Sequence, residues 1–517
     1  MANKNLFRTL IGALLPKTNT LNREGAPAYE YSPQHKLAQY AATGCFGQTF
    51  YASADEQLET VLQLCNEVRP EFIAKTALYT RQRGHMKDMP ALLCAVLAVK
   101  APGLLAEVFE RVIDNGKMLR NFVQIVRSGV TGRKSFGTAP KRLIQRWLEK
   151  RSDEALFKAS VGAEPSLADV IKMAHPKPAT PARAALYAYL IGKPYDTELL
   201  PALVRAFEAF KRDSNGLVPS VPFEMLTALP LPEDAWKEIA RHAPWHMTRM
   251  NLNTFLRHGV FNDRELSKLI AQRLRDPDAV RKAKVFPYQL MAAYANAHPD
   301  VPQSARLALQ DAMEVALENV PKLDGQVFIC PDVSSSMRSP VTGARKGATS
   351  SVRCVDVAAL IATALQRKNP DAVVLPFDDK VVPLNLNVRD SVMTNSAELA
   401  KIGGGGTNCS APMARLNADK RKGELVVYVS DNQSWVDAKS GRGTELMAQW
   451  EIFKRRNPKA KLVCIDLQPY GSTQAAERED VLNIGGFSDQ VFEVLAQFHA
   501  GQLSGAHWIG VIEQVAL

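Results

Sequence analysis

At Gly325 the spacing of apolar residues changes, and that change limits what the chain can fold into. Before it, apolar residues recur at intervals of three and four, as in Leu58, Val61, Leu62 and Cys65, and in Ala91, Leu92, Ala95, Val96 and Val99. This period lines one face of a helix. Turn signals at Arg83-Gly84, Pro102-Gly103, Asn115-Gly116 and Gly192-Lys193-Pro194 break the pattern at short intervals. No strand alternation stands out between Leu37 and Val320. Helix after helix over so long a stretch predicts an α-solenoid of degenerate repeats. A compact multi-helix globule is the competing arrangement. Residues 1–35 are polar and turn-rich and read as an N-terminal arm. The expected domains are therefore 1–35, 36–324 and 325–517.

After Gly325, short apolar strands alternate with helices. Gln326–Cys330, Ala372–Phe377, Leu425–Val429 and Lys461–Leu467 read as strands. Val355–Arg367, Glu445–Arg456 and Val491–Ala496 read as helices. Such alternation predicts a doubly wound α/β domain with a mostly parallel sheet covered on both faces. Sheets of this kind bind ligands at the carboxyl ends of their strands.

The net charge of +11 is placed unevenly. Residues 1–324 hold 43 Lys and Arg against 33 Asp and Glu, whereas the rest holds 21 against 20. A basic domain attracts polyanions, because each Lys or Arg that neutralises a phosphate releases a condensed counterion. Excess lysine on a solvated surface would give the same sum. At 46% hydrophobic and 23% charged, the composition argues against wholesale disorder. Cys45, Cys65, Cys94, Cys330, Cys354, Cys409 and Cys464 form no CxxC pair, and most sit in apolar runs. Buried thiols in a reducing compartment are expected, not a disulfide framework. Leu6–Pro16 is apolar, but Arg8 interrupts it and no small-residue cleavage site follows. A cytoplasmic protein with no membrane contact is the expectation.

The first strand after Gly325 runs into Asp332-Val333-Ser334-Ser335-Ser336. Alternate residues of this loop can aim one carboxylate and two hydroxyls at a common point. These hard oxygen donors suit one Mg²⁺, which prefers octahedral oxygen coordination and keeps several waters. Gly403-Gly404-Gly405-Gly406-Thr407 presents Thr407 at a second strand end, and Leu425–Ser430 runs into Asp431. In a doubly wound sheet all three loops reach one edge. No acid follows Asp332 at the spacing of aspartyl-phosphate enzymes, the glycine run lacks a P-loop ending, and no nucleophile is paired with a base. A non-enzymatic protein is expected.

These three elements resemble the metal-ion-dependent adhesion site of von Willebrand factor A domains. The resemblance implies Asp332, Ser334, Ser336, Thr407 and Asp431 as direct or water-mediated ligands. The whole chain from about residue 30 resembles the TROVE-domain proteins of the Ro autoantigen family. The stretches that carry this are Gln39–Tyr51, Met118–Gly129, Ser166–Pro178, Phe286–Gln289, Gly405–Met413 and Ser430–Trp435. The resemblance implies a monomeric ring of HEAT-like helical repeats closed by the A domain. It also implies Y-like small RNAs on the outer surface and single-stranded ends of misfolded RNAs in the ring, with polynucleotide phosphorylase as a possible partner.

Three basic clusters are the candidate RNA contacts. Arg133, Lys134, Lys141, Arg142 and Arg146 lie in a patch running from Arg127 to Arg151. Arg142 and Arg146 are one turn apart on a helix and offer two fork donors to successive phosphates. Lys172 and His175 share a face of a helix whose N-cap is Ser166, and His175 occupies the family position linked to RNA binding. Taken alone, His175 reads as a helix end before Pro176. Arg249, Arg257 and His258 form a third candidate, lining a cavity. The alternative function is a metal-dependent protein-interaction scaffold, in which a cation at Asp332 would capture a partner's carboxylate.

Overall fold

The computed structural model describes residues 15–44, 46–283, 285–344, 352–438, 443–503 and 506–517. Most of Leu6–Pro16 and all of Cys45 lie outside these residues. The other six cysteines are buried and unpaired.

From Pro33 to Ala316 the described chain is α-helix and short 3₁₀ turns. Helices pack mainly on neighbours one or two places along the chain, such as Pro70–Gln82 on Asp88–Lys100 and Asp88–Lys100 on Gly116–Ser128. That local pattern is the solenoid's, because each helix hairpin buries its apolar face on the next. The helical run then returns to its start: the rings of His85 and Phe286 are 4.9 Å apart. Among the described residues no helix is long and apolar enough to cross a membrane.

The C-terminal sheet comprises β3 (Val327–Pro331), β4 (Val373–Val374), β5 (Leu425–Ser430), β6 (Lys461–Asp466) and β8 (Val481–Gly485). Its order is β4-β3-β5-β6-β8, and every pairing is parallel. The strand expected over Ala372–Phe377 is shorter as a regular element, although Leu375 N and Phe377 N still donate to Ile329 O and Pro331 O and Phe377 pairs with Asp332 in a single bridge. Strand β8 carries no period that separates it from a turn, and it was not expected.

Alternate strand residues enter different cores. Val327, Ile329, Val427 and Val429 pack with the helix Cys354–Lys368 in a core continuous with the helical domain. Phe328, Cys330, Val426 and Tyr428 pack with Trp450 and Phe453 on the other face. This explains why each strand reads as an unbroken apolar run.

The N-terminal segment packs on the A domain. Strands β1 (Thr20–Leu21) and β2 (Pro27–Glu30) form a hairpin, and β2 pairs with β7 (Ser472–Thr473). The helix Pro33–Thr43 follows and packs on β8. At the other end, the helix His507–Glu513 packs on Pro70–Gln82, and Trp508 Nε1 donates to Tyr79 Oη at 2.7 Å. Both chain ends thus fasten the A domain to the first helical repeats.

Candidate metal and nucleic-acid sites

Strand order reverses between β3 and β5, and Asp332 and Asp431 follow those two strands directly. The crevice at such a switch point is where open α/β sheets place ligands. Asp332 N donates to Val429 O at 2.9 Å, so the ligand loop starts from the sheet ladder itself. Asp332 Oδ1 accepts from Ser334 N at 2.8 Å and Oδ2 from Ser430 Oγ at 2.6 Å. Ser334 Oγ and Ser336 Oγ are 3.3 Å apart. The glycine run is laced onto this loop: Ser335 N donates to Gly405 O at 3.0 Å. Gly403 has φ of +75°, and a Cβ there would stand 2.4 Å from Val333, so only glycine allows this approach. Thr407 O accepts from Trp435 N and Val436 N, which ties the third loop in.

Asp332, Ser334, Ser336 and Asp431 are brought together, Thr407 lies on the glycine-rich loop tied to them through Gly405, and all five are 0–2% exposed. Burial pushes the Asp332 carboxyl up to about 6. Burial, helped by the charge of Asp332, pushes Asp431 up to about 7. Among the described residues neither acid enters an ion pair, and no three His, Cys, Asp or Glu converge as metal ligands. A cation here would rest on two acids and three hydroxyls. Two buried acids without a positive neighbour are costly, and a divalent cation would offset that cost. The donor set therefore suits the hard cation expected from sequence.

Two residues of this site were not expected. Ser430 holds Asp332, as given above. Asp378 Oδ2 accepts from Gly405 N at 3.1 Å and so positions the glycine run. Burial works against the Asp378 carboxylate, but hydrogen bonds from Asp379 and the backbone of Gly405 and Lys380 outweigh it and hold its pKa low. Its paired neighbour Asp379 is raised in turn. The sequence signal was an acidic pair just past the β4 apolar run.

The first two basic clusters meet across three helices: Gly116–Ser128, Thr138–Glu149 and Leu167–Ala174. Arg127, Lys134, Lys141, Arg142 and Gln145 line a groove of about 650 Å³ with Phe136 and Met173, and no acidic side chain lines it. Gln145 Nε2 donates to Ala174 O at 2.8 Å and His175 O at 3.3 Å, so His175 stands at the groove's edge. Arg127 reaches Met173 Sδ from the other side. Arg133 lies over Gly137, whose φ of +68° and missing Cβ make room for the guanidinium. Arg142, Arg146, Lys172 and His175 are exposed. Leu143 and Trp147 are buried beneath them. Ser166 and Asp169 form the expected capping box, and His175 ends that helix in the left-handed region, with φ of 52°. Phe136 was not singled out from sequence; its signal is a lone aromatic in a polar, glycine-bounded turn.

Arg249, Arg257 and His258 lie elsewhere. Arg249 Nη1 donates to Gln289 O at 2.7 Å, and its guanidinium packs over Trp245, so it braces two helices from within. Arg257 and His258 line a separate groove, where His258 stacks on Trp236 at 4.0 Å.

Comparison with known proteins agrees with both halves. The model of the Ro60 vWA domain matches residues 326–499, and that of the TROVE domain matches residues 232–342. The RNA-binding protein RO60 of Deinococcus radiodurans is 25% identical over 97% of this chain and 100% of its own length. The crystal structure of the Deinococcus radiodurans Ro (RSR) protein superposes with a TM-score of 0.62 at 20% identity, covering 91% of this chain and 100% of that one. The chain thus carries a Ro60-type von Willebrand A domain preceded by a TROVE-domain match, and it is similar over nearly its whole length to a bacterial Ro protein.

Proposed function

We propose that this chain is a Ro-type RNA-binding protein. The observation that carries the reading is the groove between Arg127 and Met173. Several exposed basic residues of the helical domain stand in ion pairs, as Arg275 does with Asp311 and Arg281 with Glu318. Among the described residues Arg127, Arg133, Lys134, Lys141, Arg142, Arg146 and Lys172 enter none. Asp169 lies in the field of Arg127 and Lys172, but these seven cations on three helices and one turn otherwise repel one another, an arrangement that a polyanion relieves. The relative named for RNA binding spans the same length of chain, which supports the assignment.

The finer reading follows the family. Small structured Y-like RNA lies on this outer groove, held by phosphate contacts that position without reading sequence. Single-stranded ends of misfolded RNA enter the closed helical ring. The setting is RNA quality control in the cytoplasm, with polynucleotide phosphorylase as a candidate partner and the protein acting as a monomeric ring. One Mg²⁺ occupies the Asp332 site. Filter binding over a salt series tests the central claim: affinity for structured RNA should fall steeply with salt. A flat response would overturn it.

A further inference from the structure

In adhesion-type use, a metal site of this kind stays open so that a partner's carboxylate can complete the cation's coordination. Here the edge is covered by the chain itself. The three residues after Asp431 each hold a part of the molecule that comes from the N-terminal segment or faces it. Asn432 Nδ2 donates to Asp466 Oδ1, and Asp466 Oδ2 accepts from Tyr31 Oη at 2.8 Å and Gln39 Nε2 at 2.5 Å. Gln433 Oε1 accepts from Arg23 N at 2.8 Å. Ser434 O accepts from Asn22 Nδ2 at 2.6 Å. On the opposite side, Gln48 and Ala344 exchange backbone hydrogen bonds at 2.8 and 2.7 Å.

Between these two seams stands Tyr51. Its hydroxyl lies beside Ser336 and within the field of Asp431, two of the expected ligands. The hydroxyl donates to Glu24 Oε1 at 2.6 Å. With its proton committed to Glu24, the phenol oxygen has only lone pairs to offer the site. Its ring packs edge-on against Tyr470 at 5.2 Å. Tyr470 is 6% exposed and also lies in the field of Asp431, and its hydroxyl faces Thr49 and the backbone of Tyr51.

We infer that Tyr51, oriented by Glu24, closes the outer face of the cation site, so that the bound cation locks the chain's own N-terminal segment onto the A domain instead of capturing a partner's carboxylate. This rests on the cation reading above. It assigns Tyr51 a positioning role toward the cation and its waters, and it makes residues 22–24 and 47–51 the segment whose order depends on the metal.

The test titrates Mn²⁺ alone into the full chain, followed by electron paramagnetic resonance, with amide hydrogen exchange run in parallel with and without the ion. Wild type should bind one Mn²⁺, and binding should slow exchange in residues 22–24 and 47–51. Tyr51→Phe keeps the ring and its packing but removes the oxygen. It should weaken Mn²⁺ binding roughly tenfold, the low end for a residue supporting a metal, and should lose the Mn²⁺-dependent protection. Glu24→Ala should reproduce both effects more weakly. If wild type binds Mn²⁺ but Tyr51→Phe matches it in affinity and protection, this inference is overturned while the cation site stands. If wild type binds no Mn²⁺ and Asp332→Ala behaves identically, the cation reading itself is overturned, and this inference with it.

Discussion

The imidazole of His85 lies 4.9 Å from the ring of Phe286, although nearly the whole helical domain separates them in sequence. This contact joins the start of the helical run to its end. Tyr288 continues the seam to Phe487 of the A domain at 5.3 Å. Closure therefore uses aromatic edges from three parts of the chain. Phe286 is 8% exposed. Phe286→Ala should cost about 3 kcal/mol, as for other large-to-small core changes. Hydrogen exchange should rise on both sides of the seam, near residues 84–88 and 285–289. Protection lost on one side only would mean that the two ends close independently.

The basic groove predicts a specific electrostatic signature. Lys141 and Arg142 line it, and Arg146 follows one turn on. Replacing Arg142 and Arg146 by alanine should weaken binding of structured RNA at every sequence tested. The slope of log affinity against log salt should fall by about one per lost phosphate contact. Among the described residues neither side chain enters an ion pair, so thermal stability should hardly change. An affinity loss with an unchanged salt slope would place the RNA elsewhere.

Removal of Asp332 should separate the two halves functionally. In wild type, Mg²⁺ at a hundred times its Kd should stabilise the fold by about 2.7 kcal/mol. Asp332→Ala should abolish that increment in thermal melts. RNA affinity should remain within about twofold, because the groove lies on helices that do not touch the metal edge. A matching drop in RNA binding would show that the two sites are coupled.

Asp466 predicts a pH dependence. Burial pushes its carboxyl from 3.8 up to about 8, against the hydrogen bonds from Tyr31, Gln39 and Asn432. The folded state therefore holds this proton more tightly than the unfolded chain. Stability is greatest below pH 4 on this account and declines as pH rises towards 8, by at most about 1.4 kcal/mol per unit per group. Asp332 and Asp431 act in the same direction up to about 6 and 7. In chelator, denaturation midpoints should fall between pH 6 and 8.5, and Asp466→Asn should flatten the last part of that decline. A wild-type midpoint that rises over this window would contradict the assignment.

Ser166 offers a local test. Its hydroxyl accepts from Asp169 N at 3.1 Å, and Asp169 Oδ2 accepts from Ser166 N at 2.9 Å. Ser166→Ala should cost about 1 kcal/mol. It should also loosen the short helix that delivers Lys172 and His175, which would appear as a modest loss of RNA affinity restored by Ser166→Thr.

Local sequence was enough for whatever depends on neighbours along the chain. The period of three and four placed the helices, because one helix face is set by residues a turn apart. The capping box at Ser166 and the buried face of Leu143 and Trp147 follow from the same short-range geometry. The ligand set from Asp332 to Asp431 was legible because each loop follows its own strand. The tertiary structure decided what depends on distant segments meeting. Only the fold shows Asp378 holding the glycine run, or Arg249 turned inward to Gln289. Only the fold brings Arg127 and Lys134 against Met173 as one groove, since three helices must pack before their cations share a field. The pairing of β2 with β7 and the placement of Tyr51 over Ser336 are of the same kind. A strand edge or a hydroxyl carries no sequence period that names its partner, and the contact exists only after the A domain has docked on the first repeats.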